Sequence, residues 1–307
     1  MDSHFFSINK KSRSISLLFI LILISCQDSG GDSNLEPAPI LKPDPDPDPI
    51  LKPDPAVPPS ENFNLSVWKL TLPVSQDDYF GSGGSSAAEI LPSGGILINV
   101  VPLDLGFEDP DFFYTGMDGG MVFRTPLSGG ASTVNSSYVR SELRELYHWI
   151  PGESTSEANW NNEGVHVLTA SLKVVDYWPD DPQTVIGQIH AKDSTKALLK
   201  LQWDGPTKAV RAIINKDPSS GDPFSLAFDV VGLNEFNYQI SLEENTLNIT
   251  VNGVTQSVNF GENGMSSVWD DHVYYFKAGN YVQADKEAGG VFEVSFSSLL
   301  IAHGNDE

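Results

Sequence analysis

Beyond about residue 61, polar and apolar residues alternate with a period of two along much of the chain. Val67-Trp68-Lys69-Leu70-Thr71-Leu72 shows it, and so does His166-Val167-Leu168-Thr169-Ala170-Ser171-Leu172-Lys173-Val174. Successive side chains of a strand point to opposite faces, so this pattern predicts strands with one buried face. Thr246-Leu247-Asn248-Ile249-Thr250-Val251 runs into Asn252-Gly253 and then Val254-Thr255-Gln256-Ser257-Val258, which predicts a hairpin closed by a two-residue turn. No long stretch carries the 3.6-residue period of an amphipathic helix, and Gly and Pro punctuate the sequence throughout. Glycine pairs at 83–84, 94–95, 119–120 and 129–130 read as loops that either border a cleft or simply supply turns. No repeat marks a propeller or solenoid. The many short strands predict an all-β fold, a β-sandwich or jelly roll.

The same rule singles out three further stretches, because their ionisable residues fall two apart. In Tyr138-Val139-Arg140-Ser141-Glu142-Leu143-Arg144, Arg140, Glu142 and Arg144 share one face. Gln188 and His190 do so in Gln188-Ile189-His190, and Lys277, Tyr281 and Gln283 in Tyr275-Phe276-Lys277-Ala278-Gly279-Asn280-Tyr281-Val282-Gln283. If these strands are neighbours, one surface gathers guanidiniums, an ammonium, an imidazole, a phenol and amides. Such a surface suits an anionic, hydroxyl-rich ligand and holds both an acid and a base. Taken alone, the first stretch also admits the blander reading of a surface ion-pair ladder, and a strand histidine is more often structural.

The N-terminal part follows other rules. Lys10, Lys11 and Arg13 precede a nearly unbroken apolar run from Ile15 to Ile24, which describes an export signal too short to span a membrane. Leu23-Ile24-Ser25-Cys26 resembles a bacterial lipobox. That resemblance implies removal of residues 1–25, lipidation of Cys26 and a membrane anchor without a transmembrane helix. An ordinary signal peptide is the plainer alternative. Residues 26–60 form a spacer in which Asp44-Pro45-Asp46-Pro47-Asp48-Pro49 lies between two copies of Ile-Leu-Lys-Pro-Asp-Pro. Prolines remove donors and repeated aspartates repel, so this segment reads as an extended tether. Residues 61–307 are left as one large domain.

Charge and cysteine usage narrow the function. With Cys26 the only cysteine, the fold rests on its core and not on a disulfide. A formal net charge of −23 argues against nucleic acid as a partner, and it means that a polyanion must be held by a local cationic cluster. Of five arginines, two fall within Arg140–Arg144.

A polyuronate fits that cluster. Cleaving it by β-elimination removes the weakly acidic C5 proton and expels the O4 leaving group, while charge develops on the carboxylate. Arg140 has a donor fork suited to a carboxylate, and Gln188 adds an amide. His190 and Tyr281 supply a base and an acid. Lys277 binds a neighbouring carboxylate or helps hold Tyr281 partly ionised. Glu142 between two arginines reads as a positioning residue and not as the base.

These three stretches, in this order, resemble the signature motifs of the alginate lyases of polysaccharide lyase family 7, over roughly residues 61–307. The resemblance implies a jelly roll of two antiparallel sheets with the motifs on a concave catalytic face. It implies Arg140, Gln188, His190 and Tyr281 as the catalytic set. Arg140 and Gln188, with His190, would neutralise the carboxylate; Tyr281 would be the acid, and His190 or Tyr281 the base according to the epimer. Glu142, Arg144, Lys277 and Gln283 match supporting, substrate-binding positions. The implied partner is alginate, the implied cofactor none, with no metal in the site and a monomeric state. The Ile of Gln-Ile-His resembles members that accept guluronate blocks. Asn280 replaces an aliphatic residue of many relatives, on the face away from the cleft. Trp160, Trp178 and Trp203 are read as core, and His148, His166, His272 and His303 match no motif. A carbohydrate-binding module would need the arginines but not His190 and Tyr281 together. A glycoside hydrolase would need a facing carboxylate pair that the chain does not display, and a purely adhesive lipoprotein leaves the cationic face unexplained.

Overall fold

The computed structural model describes residues 52–96, 99–134, 136–285 and 289–304. The signal, lipobox and most of the Pro/Asp-rich spacer lie outside them. Among the described residues, fifteen strands follow one another. They are β1 (Trp68–Ser75), β2 (Ala87–Ile90), β3 (Phe113–Thr115), β4 (Met121–Pro126), β5 (Arg140–Glu145), β6 (Val165–Asp176), β7 (Thr184–Ala191) and β8 (Ala197–Trp203). The second half adds β9 (Arg211–Ile214), β10 (Phe224–Ala227), β11 (Phe236–Glu243), β12 (Thr246–Val251), β13 (Val254–Asn259), β14 (Tyr274–Val282) and β15 (Val291–Gly304). Two short helices, α1 (Pro59–Asn62) and α2 (Gln76–Phe80), flank β1.

The strands form two antiparallel sheets stacked as a jelly-roll sandwich, the all-β class that the alternation predicts. The front sheet runs β10-β9-β8-β7-β14-β5-β1-β2 and the back sheet β13-β12-β11-β6-β15-β4-β3. Their inner faces meet through alternate residues. Leu70, Leu143, Ile189 and Phe276 come from the front, and Leu168, Leu172, Phe123 and Phe296 from the back. The expected hairpin joins β12 to β13, with Asn252 and Gly253 both at positive φ (47° and 81°). That is the conformation a two-residue turn between twisted strands requires. Trp160 and Trp203 are buried in the core, as expected.

The spacer ends earlier than expected. Residues 52–60 are folded against the domain and not extended: Asp54 N–H donates to Asn62 Oδ1 (2.9 Å), and Thr115 Oγ1 donates to the carbonyl of Val57 (2.8 Å). Pro58 and Pro59 open α1, where a missing N–H costs nothing. Proline content alone therefore misplaces this boundary.

Candidate active site

The three motif strands are adjacent, with β14 at the centre, β5 on one side and β7 on the other. Register then fixes which side chains meet. Lys277 is opposite both Arg144 and Gln188, Tyr281 is opposite Arg140, and His190 is opposite Tyr275. β14 carries one extra residue against β7 between Ala278 and Tyr281. Gly279 lies there at φ +146°, and a Cβ on it would come within 2.7 Å of Glu142 Cα and the Ser141 carbonyl. Only glycine allows β14 and β5 to pair this closely at the middle of the site.

On the outer face of these strands lies a cleft of about 770 Å³, walled by loop residues including Thr133, Ser136, Thr155 and Ser194. Arg140, Arg144, Gln188, His190, Lys277 and Tyr281 all line it. Glu142 does not. At 1% exposure it lies beneath the floor, where its carboxylate accepts from Arg140 Nη1 (2.8 Å), Lys277 Nζ (2.5 Å) and Gln188 Nε2. Burial alone would raise its pKa, but the charges of Lys277 and Arg140 hold it below the ordinary carboxylate value. The substrate-binding expectation for Glu142 is thus corrected: a carboxylate under a cationic floor orients the three donors above it.

Each donor has a defined task. Arg140 lies with its guanidinium carbon 3.6 Å from the Tyr281 ring centroid, a contact that at its low exposure is worth roughly 1–2 kcal/mol. Its Nε is buried with no hydrogen-bond partner among the described residues. Tyr281 Oη is 3.0 Å from Ser136 Oγ. Arg144 donates to the carbonyls of Glu145 (2.6 Å) and Ala158 (2.9 Å) and to Asn159 Oδ1 (2.6 Å). It also lies 4.2 Å from the ring centroid of Tyr275. Much of its fork is thereby committed to shaping the cleft wall.

His190 Nδ1 is 2.9 Å from the carbonyl of Ala191. A carbonyl only accepts, so Nδ1 carries the proton and Nε2 keeps its lone pair. Burial, and then the charge of Lys277, push the imidazole down to about 4, which leaves it neutral at neutral pH. Burial, with Arg140 beside it, likewise pushes Lys277 down to about 8 against the attraction of Glu142.

Gln283 does not reach the cleft. β14 ends at Val282, and the Gln283 amide folds back onto the carbonyls of Tyr281 and Val282 (3.3 Å each). The alternation that groups it with Tyr281 stops with the strand, so its expected binding role is corrected too. Asn280 faces inward as expected and joins the sheets. Its amide donates to the carbonyls of Phe123 (3.1 Å) and Phe292 (2.9 Å) and accepts from Thr184 Oγ1 (2.7 Å). The cleft also contains residues that the motifs do not mark. Lys69 and Lys200 lie opposite Arg144 and Gln188, between inward-facing apolar neighbours. Their own alternation signals the outward face, but only the strand order places them at the site. Ser136 and Lys192 come from loops and carry no periodic signal. None of the four glycine pairs lines the cleft.

The cleft thus offers cationic donors for a carboxylate, an imidazole lone pair and a phenol, the requirements of proton abstraction beside an acid group. Comparison with known proteins agrees with this chemistry. The family model described as alginate lyase matches residues 63–303. An alginate lyase of Klebsiella pneumoniae is 27% identical over 300 residues, covering 81% of this chain and 92% of that protein. The crystal structure of alginate lyase A1-II′, a member of polysaccharide lyase family 7, is 32% identical. It superposes with a TM-score of 0.68, covering 81% of this chain and 100% of that one. An alginate lyase structure from Pseudomonas aeruginosa is 28% identical, with a TM-score of 0.61 and coverages of 78% and 99%. On the strength of the matched residues and of this fold, the chain belongs to the alginate lyases of polysaccharide lyase family 7.

Proposed function

We propose that Arg140, Gln188, His190 and Tyr281 carry the elimination on alginate, and that guluronate-containing blocks are accepted. Arg140, with Gln188 and the ammonium of Lys277 close by, meets the C5 carboxylate and takes up the charge that develops on it. On guluronate the Nε2 lone pair of His190 removes the C5 proton. Tyr281 then delivers its phenolic proton to O4 as the C4–O4 bond breaks, leaving a C4–C5 double bond on one product and a hydroxyl on the other. The observation that carries this reading is the hydrogen bond from His190 Nδ1–H to Ala191, which leaves the other ring nitrogen basic. Ile189, the residue behind the guluronate expectation, is buried in the core, so any influence on preference acts through the packing of β7. Alginate lyase A1-II′ has been solved as a Tyr→Phe variant in complex with product (GGG). A His→Asn, Tyr→Phe variant has been solved with substrate (GGMG).

The test follows absorbance near 235 nm, where the unsaturated uronate absorbs, with polyguluronate and polymannuronate supplied separately. The expected result is faster turnover of the guluronate blocks. His190→Ala and Tyr281→Phe should each lower kcat by at least about 100-fold with the fold and polymer binding retained. Near-wild-type turnover in either variant would sink the assignment.

The export signal, with lipidation of Cys26 and an outer-membrane or cell-surface location, belongs to the same proposal and rests on the pattern of residues 10–26. Replacing Cys26 by Ala should move the activity from the membrane fraction to the soluble one; unchanged partitioning would refute the anchor.

A further inference from the structure

A second group of ionisable side chains lies on the inner side of β5, and the elimination makes no use of it. Glu145, next to Arg144, is fully buried. Its Oε2 accepts from the indole N–H of Trp160 and from the backbone N–H of Phe276, both at 2.8 Å. Its Oε1 is 2.7 Å from His303 Nε2. His303 Nδ1 is in turn 2.7 Å from His166 Nδ1, and His166 Nε2 is 2.8 Å from the carbonyl of Glu163. Glu145 and Phe276 belong to the front sheet, His166 and His303 to the back sheet, so this chain of contacts ties the two together.

Its protons can be counted. Three hydrogen bonds join Glu145, His303, His166 and the Glu163 carbonyl, and each requires one proton. The two ends, a carboxylate and a carbonyl, only accept. Two neutral imidazoles bring two protons between them, one too few. Two N–H donors converge on Glu145 Oε2 and favour the ionised carboxylate there, so the third proton belongs to the imidazoles.

We propose that His166 and His303 share an extra proton as a buried imidazolium–imidazole pair facing ionised Glu145, and that this link, whole only while all three of its hydrogen bonds are made, positions β14 for catalysis. The point of action is the Phe276 N–H, which Glu145 holds between Tyr275 and Lys277. Tyr275 stacks on the catalytic imidazole of His190, ring centroids 5.3 Å apart at 16°. Other ionisable groups face the pair. Tyr147 lies 4.6 Å from His303, with His148 stacked on Tyr147 at 4.0 Å. Arg144 donates to the Glu145 carbonyl, and Tyr274 lies 5.3 Å from Trp160. Arg144 shares the sign of the pair, and the Glu145 carboxylate, in contact with His303, opposes it.

The positioning role rests on the assignment of His190, Lys277 and Tyr281 to the reaction; the proton count does not. Glu145→Gln separates the two. A glutamine can donate its amide N–H to His303 and accept from Trp160 and Phe276, which satisfies all three bonds with two protons. The experiment labels the histidines of the full chain with ¹⁵N and follows ring nitrogen shifts against pH, with His303→Gln and His166→Gln to assign the signals. At pH 7 the wild type should show one protonated ring shared by the pair, and Glu145→Gln two neutral ones. As pH rises, kcat of the wild type should fall over the interval in which the protonated signal is lost, with KM little changed. Glu145→Gln should lack that limb, show only the loss that both proteins share as the Lys277 ammonium, held at about 8, gives up its proton, and keep its neutral-pH rate within about threefold. Two neutral rings in the wild type would overturn the proton. A fall in Glu145→Gln over the interval of the wild-type NMR transition, or no fall of the wild type there, would overturn the positioning role. The wild-type measurements decide both points should the variant fail to fold. Failure of the catalytic assignment would register separately, as turnover surviving His190→Ala.

Discussion

His190 serves as a base only while its ring is neutral, and its surroundings keep it so. Burial comes first among these influences and the Lys277 ammonium second, and together they hold the imidazole near 4, where the free side chain titrates at about 6.5. A depressed pKa keeps the lone pair available in more acidic solution. The acid limb of kcat/KM on polyguluronate should therefore fall near pH 4. Lys277→Met removes the second influence and strips Glu142 of a partner. Both changes favour the protonated ring, so the limb should move to higher pH. A pH–rate profile of the two proteins checks the sign, and an unmoved or lowered limb would mean that another group governs it. Glu142 is the other instructive residue. Its sequence neighbours show that it is paired, but only burial shows that it faces no substrate.

At the scale of the element, β14 does the most. It contributes Lys277 and Tyr281 outward and Phe276 and Asn280 inward, and its extra residue at Gly279 accommodates the close approach of β5. Gly279→Ala places a methyl against Glu142 Cα in a backbone region that L-residues avoid, at a cost on the order of 2–3 kcal/mol. Thermal or urea unfolding should register that loss, and activity should fall more than stability alone explains, because Lys277 and Tyr281 flank the bulge. A variant as stable as wild type would show the bulge to be dispensable. Strands such as β1, β6 and the β12–β13 hairpin were legible because alternation is a local property with a strong period. The motif strands were legible for the same reason, and their adjacency followed from the chemistry they share. Gln283 was misread because alternation does not announce where a strand stops. Ser136 and Lys192 were invisible because loops have no period, and the folding of residues 52–60 against the domain was hidden because prolines open helices as well as spacers. The proton-bearing link of Glu145, His303 and His166 leaves no trace in sequence, since its members lie up to 158 residues apart.

At the scale of the whole molecule, a polyanion approaches a protein of net charge −23 and must find a cleft bearing Lys69, Arg140, Arg144, Lys192, Lys200 and Lys277. The repulsion acts over long range and the attraction at contact, so salt affects them unequally. The screening length shrinks from about 30 Å at 10 mM salt to about 8 Å at 150 mM. kcat/KM on alginate should accordingly rise over that range, as the repulsion is screened and the close contacts persist. A monotonic fall would show that the field of the cleft already dominates at a distance.

The sheet order also has a bearing on time. β14 lies inside the front sheet, between β5 and β7, and β15 lies inside the back sheet, between β4 and β6. Both come after the other described strands in chain order. A nascent chain complete to Val273 has both sheets split down the middle, with neither Lys277 nor Tyr281 yet made. Long-range pairing of this kind cannot be built up piece by piece from the N-terminus. A chain that stops before Tyr274 therefore lacks the middle of both sheets and the Lys277 and Tyr281 side chains together.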